Sequence, residues 1–170
     1  MKTITILVPA YNESENLTHL IAELQKITKQ KTKLHISESE IAEIDLSDYN
    51  WEYLFVNDGS LDNTLELLAA LKTQNARVNY VNLSRNFGKE NALLAGMDFA
   101  TGDAVIIMDA DLQDPPELIP ELIKYWEEGY DDVYARRTSR KGETFLKKFT
   151  SKMYYKVLQS LTKVEIQKDT

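Results

Sequence analysis

Residues 104–113 read AVIIMDADLQ, and the passage from an unbroken apolar run to a burst of acids sets the reading of the whole chain. Ala104 to Met108 is short, apolar and β-branched, the composition expected of a parallel strand buried on both faces. Upstream, Gly88 opens a helical stretch whose small residues Ala92, Ala95 and Gly96 would allow close approach to a sheet, and Gly102 stands where a C-capping glycine belongs. Downstream, Asp114-Pro115-Pro116-Glu117 leads into a helix through Leu118, Leu122, Ile123 and Trp126, stopped by Gly129.

The same alternation extends outward. Ile4 to Val8 is an apolar run ended by Pro9, and Asn12 and Glu15 have capping-box spacing ahead of Leu17, Leu20, Ile21, Leu24 and Ile27. Residues 52–56 predict a second strand, after which Asn57-Asp58-Gly59-Ser60 is turn chemistry with Ser60 as the expected N-cap of a helix. Residues 78–83 predict a third strand, 131–135 a fifth, and 143–163 a long amphipathic helix. Strand and helix in turn, with crossovers of this length, predict an α/β fold: a mostly parallel sheet with helices on both faces. Residues 30–50 are polar and longer than a connection requires; they are expected to be an inserted loop, with a short exposed helix over 37–46.

Composition bounds the function. The chain has 170 residues, enough for one domain with a real core, and 43% hydrophobic content excludes a disordered segment. With no cysteine and only two histidines, His19 and His35, thiolate chemistry and a Cys/His zinc site are excluded. No apolar run approaches the roughly 18 residues needed to span a bilayer, and the N-terminus lacks a signal-peptide pattern, so a cytoplasmic protein is expected. Nine basic residues between Arg136 and Lys163 stand against Glu143 alone, a net +8 that leaves −15 elsewhere in a chain of total charge −7. An anionic partner at that end is implied, while duplex DNA would be repelled by the remaining surface, so no nucleic-acid partner is expected.

In an open parallel sheet, ligands bind beyond the carboxyl ends of the strands. The polar segments Pro9-Ala10-Tyr11-Asn12-Glu13, Asn57-Asp58-Gly59-Ser60 and Asp109-Ala110-Asp111-Leu112-Gln113 all fall there. Carboxylates two apart on an extended chain project to one side. Asp109 and Asp111 so placed would repel each other unless a hard cation such as Mg²⁺ or Mn²⁺ lay between them and left positions for diphosphate oxygens; Gln113 could add a neutral oxygen. The plain alternative is a solvated turn after a strand. Asp58 suits either a helix cap or a hydrogen bond to a nucleotide, Tyr11 either stacking on a base or covering the sheet end, and Glu13 either a helix N-terminus or a ligand. Arg85 and Lys89 are loop charges near a helix start. Neither a Gly-x-Gly-x-x-Gly fingerprint nor a complete Walker loop is present. A receiver-like domain would place paired acids after the first strand, where this chain has Ala10-Tyr11-Asn12.

The stretches LVPAYNESENL (7–17), FVNDGSLDNT (55–64), LSRNFGKENALLAGMDFATGD (83–103), VIIMDADLQDPPELIPELI (105–123) and YDDVYARRTSRKGETFLKKFTSKMYY (130–155) together resemble the inverting family 2 glycosyltransferases of GT-A fold. The likeness is to the branch that glycosylates polyprenyl phosphates, such as the dolichol-phosphate mannose synthases and undecaprenyl-phosphate glycosyltransferases. It implies a Rossmann-like GT-A domain over 1–170, the donor-binding part of a longer enzyme, with 30–50 inserted. It also implies transfer of a hexose from a UDP- or GDP-sugar to a polyprenyl phosphate. Pro9, Ala10, Tyr11, Glu13, Val56, Asp58 and Lys89 would surround the nucleotide sugar, with Asp109, Ala110 and Asp111 at the diphosphate. Asp109, Asp111 and Gln113 would hold Mg²⁺ or Mn²⁺, and Arg137 would contact phosphate as a catalytic group beside the two acids. The basic, amphipathic 143–163 segment would meet an anionic membrane surface, placing the full-length protein at the cytoplasmic face of the membrane. A saccharide acceptor, a donor-binding module without transfer, and self-association into a homo-oligomer remain open alternatives. Asn57 stands where the family commonly has Asp.

Overall fold

The computed structural model describes residues 1–35 and 41–135. Four parallel strands form the main sheet: β1 (Thr3–Ala10), β4 (Asn50–Asn57), β5 (Val78–Asn82) and β6 (Ala104–Ile107), in the order β5-β4-β1-β6. Strand order therefore reverses between β1 and β6, since the chain first builds outward through β4 and β5 and then returns to the other side of β1. Two further strands, β2 (Lys31–His35) and β3 (Ile41–Asp45), pair with each other in an antiparallel hairpin. The expectation of a short helix over 37–46 is corrected from residue 41 onward: Ile41–Asp45 is a strand, and β2 and β3 satisfy their backbone groups mutually. The backbone N–H of Leu46 donates to the carbonyl of Gln30 at 3.0 Å and closes the hairpin's base.

Helix α1 (Leu17–Ile27) buries Leu17, Leu20, Ile21, Leu24 and Ile27, the residues whose spacing predicts it. Its N-cap is Asn16, not Asn12. Asn12 instead takes a left-handed φ of 57°, and its side-chain oxygen accepts from the N–H of Leu61 at 2.8 Å. Helix α2 (Thr64–Gln74) likewise starts later than Ser60 predicts, with Asn63 at the cap position and Asp62 accepting from the Thr64 N–H. Ser60 accepts from the N–H of Asn12 instead. Both starts are displaced because the side chains of Asn12 and Ser60 link their two loops to each other.

Helices α1 and α2 pack together on one face of the sheet, where the Thr28 hydroxyl meets that of Tyr53 at 2.8 Å. Helix α3 (Lys89–Phe99) covers the other, over a cluster of Leu7, Leu54, Val56 and Ala92. Burying one such aliphatic side chain stabilises the fold by roughly 1.5–3 kcal/mol. The close approach expected of α3 is present: a Cβ on Gly96 would lie 2.9 Å from a methyl of Val56. Strand β6 departs from expectation. Only Ile106 of its four residues is buried, and Ile107 is 52% exposed, because α3 lies over β1, β4 and β5 and leaves this part of β6 open.

Pro9 explains where β6 leaves the sheet. Thr3 and Leu7 turn their carbonyls toward Asp103 and Met108, and Ala10 turns its own toward Asp58, so the odd-numbered backbone groups of β1 face β6. At Pro9 the ladder would next need an N–H, and proline has none. The strands part there, and the chain after β6 is released into the space beyond the sheet end.

The chain divides into two compact units, Met1–Glu121 and Leu122–Thr170. The sheet, the hairpin and α1–α3 belong to the first. Helix α4 (Ile119–Glu127) follows a 3-10 turn at Pro116–Leu118 that packs against α1. In the second unit the helix is stopped by Gly129 at φ 97°, as expected, and Tyr125 and Tyr130 meet edge-on at 5.9 Å. Residues 131–135 form no strand, contrary to expectation. The predicted 143–163 helix lies outside the described residues, and within those that are described no helix is long and apolar enough to cross a membrane.

Candidate functional site

A cleft of about 320 Å³ opens at the carboxyl ends of the strands. It lies where β1 and β6 diverge, at the reversal of strand order. Pro9, Ala10, Tyr11 and Glu13 come to it from the end of β1, Asp58 from the end of β4, and Asp109, Ala110 and Asp111 from the segment after β6. The loop and first turn of α3 add Asn86, Gly88, Lys89 and Ala92.

Three loops are tied to one another by side chains. The N–H groups of Asn12, Glu13 and Ser14 donate to Ser60 Oγ (2.9 Å), Thr64 Oγ1 (3.0 Å) and Asp62 Oδ2 (3.2 Å). Asp58, only 3% exposed, accepts from the Phe87 N–H at 2.8 Å and the Gly88 N–H at 2.9 Å, one on each carboxylate oxygen. It thus fastens the loop before α3 to the end of β4 and does not cap α2. Gly59 permits this approach: its φ is 66°, and a Cβ there would collide with the backbone of Arg85 and Asn86. Such a frame holds cleft residues in place without a ligand.

Burial pushes the Asp62 carboxyl up, but hydrogen bonds from Thr64 and Ser14 outweigh it and bring the group from its ordinary 3.8 down to about 2. A depressed carboxyl contributes stability above its unfolded value and loses it as pH falls through the folded one. The stability difference between wild type and Asp62→Ala, measured by urea unfolding, is therefore expected to be full above pH 4 and to shrink between about pH 4 and 2. A difference that does not change across that range would contradict this account.

The two acids of the Asp109-Ala110-Asp111 segment are both engaged within the chain. Lys89 Nζ pairs with Asp109 Oδ1 at 2.5 Å, and Asp111 Oδ1 accepts from the Gln113 N–H at 3.1 Å. Among the described residues no three His, Cys, Asp or Glu side chains gather as a ready cage for a metal ion. Two carboxylates facing a cleft still fit a hard divalent ion of the Mg²⁺ type, which commonly takes one or two protein carboxylates and completes its shell with water and substrate phosphate.

Of the residues expected at the nucleotide sugar, all but Val56 line this cleft. Val56 is fully buried beneath it, against Leu7 and Ala92. Gln113 is not among the lining residues, and its backbone N–H, not its side chain, meets Asp111. Arg137 lies outside the described residues. Asn86, Gly88 and Ala92 line the cleft without being expected there; the Ser-Arg-Asn-Phe-Gly-Lys stretch at a helix start carries a signal for the first two, and Ala92 is expected only as a small residue facing the sheet.

An α/β sheet with a polar cleft at this position is the architecture of GT-A glycosyltransferases, and the solved structures agree. A glucosyl-3-phosphoglycerate synthase from Mycobacterium tuberculosis, in complex with UDP, superposes with a TM-score of 0.56 over 96% of this chain and 53% of its own, at 19% identity. A mannosyltransferase from Pyrobaculum calidifontis, in complex with GDP-mannose and Mn²⁺, gives 0.54 over 91% and 38%, at 21% identity. The Glycosyl transferase family 2 profile matches residues 5–169, and the chain belongs to that family. It is 50% identical to an uncharacterised glycosyltransferase of Synechocystis over 98% of this chain and 48% of that protein. It is also 36% identical to a bactoprenol glucosyl transferase of Shigella phage SfX, over 98% of this chain and 49% of that one. The chain thus spans about half the length of the curated relatives it matches.

Proposed function

We propose that this chain binds a nucleotide diphosphate sugar and serves an inverting transfer of its hexose to a polyprenyl phosphate. The observation that carries the reading is the single cleft into which Tyr11, Asp58, Lys89, Asp109 and Asp111 converge at the strand-order reversal. Likeness to bactoprenol glucosyl transferases supports the lipid-phosphate acceptor.

Tyr11, 41% exposed at the cleft, offers a ring face to the base. Glu13 and Asp58 supply acceptors to the nucleoside, although both Asp58 oxygens already hold backbone N–H groups and have only their remaining lone pairs to offer. Asp109, Ala110 and Asp111 border the diphosphate, and Lys89 brings positive charge to it. Mg²⁺ or Mn²⁺ held by Asp109 and Asp111 would supply electrostatic stabilisation of the leaving diphosphate. In the displacement itself an acceptor phosphate oxygen forms the new bond to the anomeric carbon as the bond to the β-phosphate oxygen breaks. That nucleophile is ionised at neutral pH, so the chain needs no strong general base. We assign Arg137 and the surrounding +8 segment to the acceptor phosphate and to an anionic membrane surface at its cytoplasmic side.

Asp111→Asn tests the site. Donor binding in the presence of Mn²⁺, compared among UDP-glucose, UDP-N-acetylglucosamine and GDP-mannose, is expected to weaken about tenfold or more, as for loss of a charge-assisted ligand. Unchanged, metal-dependent affinity would reject the assignment. A second reading is a module that binds donor without transferring it, supported by a cleft whose named groups Tyr11, Asp58, Lys89, Asp109 and Asp111 are all assigned to the donor. Lipid-linked sugar formed by the purified chain would exclude it.

A further inference from the structure

We propose that Lys89 is an internal counter-ion that holds Asp109 until a diphosphate draws it away, so that divalent-ion binding and nucleotide binding are coupled through this one side chain. The inference rests on the donor-site reading above and adds to it an order of events.

Lys89 is the first residue of α3, and Asp109 lies two residues past the end of β6. They meet only because α3 and β6 both end at this cleft, and they meet as an ion pair at 2.5 Å. The companion acid, Asp111, has an oxygen on the Gln113 N–H. The chain's own side chains therefore do not present a bare pair of acids at the cleft. An ammonium group on Asp109 meets the demand for neutralisation that two neighbouring carboxylates create.

Such a group also stands in the way of a divalent ion. A cation approaching Asp109 must either displace Lys89 or share a carboxylate with it, and like charges at that distance repel. With only Asp109 and Asp111 to offer, and no third acidic or imidazole ligand gathered among the described residues, the chain holds such an ion weakly on its own. A diphosphate changes both conditions. Its oxygens complete the ion's shell, and its charge gives Lys89 a new partner within reach of a side chain that is 53% exposed and can swing. Coupling of this kind is reciprocal: whatever factor the nucleotide adds to ion affinity, the ion adds to nucleotide affinity.

The test is Mn²⁺ binding followed by electron paramagnetic resonance on the 170-residue chain, alone and with UDP or GDP in separate titrations. Lys89→Met is expected to bind Mn²⁺ alone about fivefold more tightly than wild type, the range of a partly exposed ion pair. The enhancement that nucleotide produces is expected to shrink by a similar factor. Lys89→Arg, which keeps the charge, should behave as wild type. Nucleotide-enhanced Mn²⁺ binding with no difference between wild type and Lys89→Met would overturn the role of Lys89 and leave the donor site standing. Mn²⁺ and both nucleotides binding to wild type without mutual effect would overturn both.

Discussion

Asp58→Ala is expected to weaken nucleotide-sugar binding by about a hundredfold, because it removes two hydrogen bonds to a carboxylate, worth about 1.5–3 kcal/mol each, that hold the loop before α3 in place. The Phe87 N–H loses its acceptor, the Gly88 N–H keeps only Asn86 Oδ1 at 3.0 Å, and the loop that carries Asn86, Gly88 and Lys89 into the cleft loses its tie to the end of β4. Asp58→Asn should recover little. Its amide can accept from one N–H but must turn its own donor toward the other, and donors facing donors are as poor as none. Calorimetric titration with UDP-glucose and GDP-mannose measures the loss. Asp58→Ala affinity equal to wild type for a donor that the wild type binds would show that the loop holds its place by other means.

The second large effect lies at the opposite end of the sheet. Glu52 in β4 is 9% exposed, and its carboxylate accepts from the Thr5 hydroxyl (2.6 Å), the Thr101 N–H (3.1 Å) and hydroxyl (2.9 Å), and Asn79 Nδ2 (3.1 Å). Burial alone would push this acid up; those donors outweigh it and hold the group below its ordinary 4.5. Glu52→Ala leaves the buried Thr5 hydroxyl and the part-buried hydrogen bonds from Asn79 and Thr101 without their acceptor, and is expected to cost about 2–4 kcal/mol, or roughly 5–15 °C in melting temperature for a chain of this size. Its stabilising effect is complete at neutral pH and is lost as acid protonates the group below its ordinary value. Donor affinity of the folded variant should be unchanged, since Thr5 and Thr101 do not line the cleft. A thermal melt checks the first claim and a donor titration the second.

These two acids mark the limit of what the amino-acid sequence discloses. Apolar runs such as Ile4–Val8 and helical spacing such as Leu17 to Ile27 are local signals, and the strands and helices they predict are present. The gathering of Pro9, Tyr11, Asp58 and Asp109 at one edge also follows from a general rule about parallel sheets, once the strands are known. Partnerships across the fold are not local. A charged residue within EYLFV gives no hint that Thr5 and Thr101 will close over it. Asn12 and Ser60 look like caps for their own helices, yet each serves the other's loop. That Lys89 pairs with Asp109 is not visible until the start of α3 and the segment after β6 are brought to one cleft. The hairpin of residues 31–45 was hidden for another reason: its alternation is weak, and its stability comes from two short strands completing each other's ladder.

That hairpin lies between α1 and the start of β4, where the chain re-enters the sheet at the strands' amino ends, opposite the cleft, and its two stems are already clasped by Gln30 and Leu46. Such a port is open to protein engineering. A reporter, an affinity handle or a domain grafted between those stems would ride on the scaffold without trespassing on the sugar-nucleotide end.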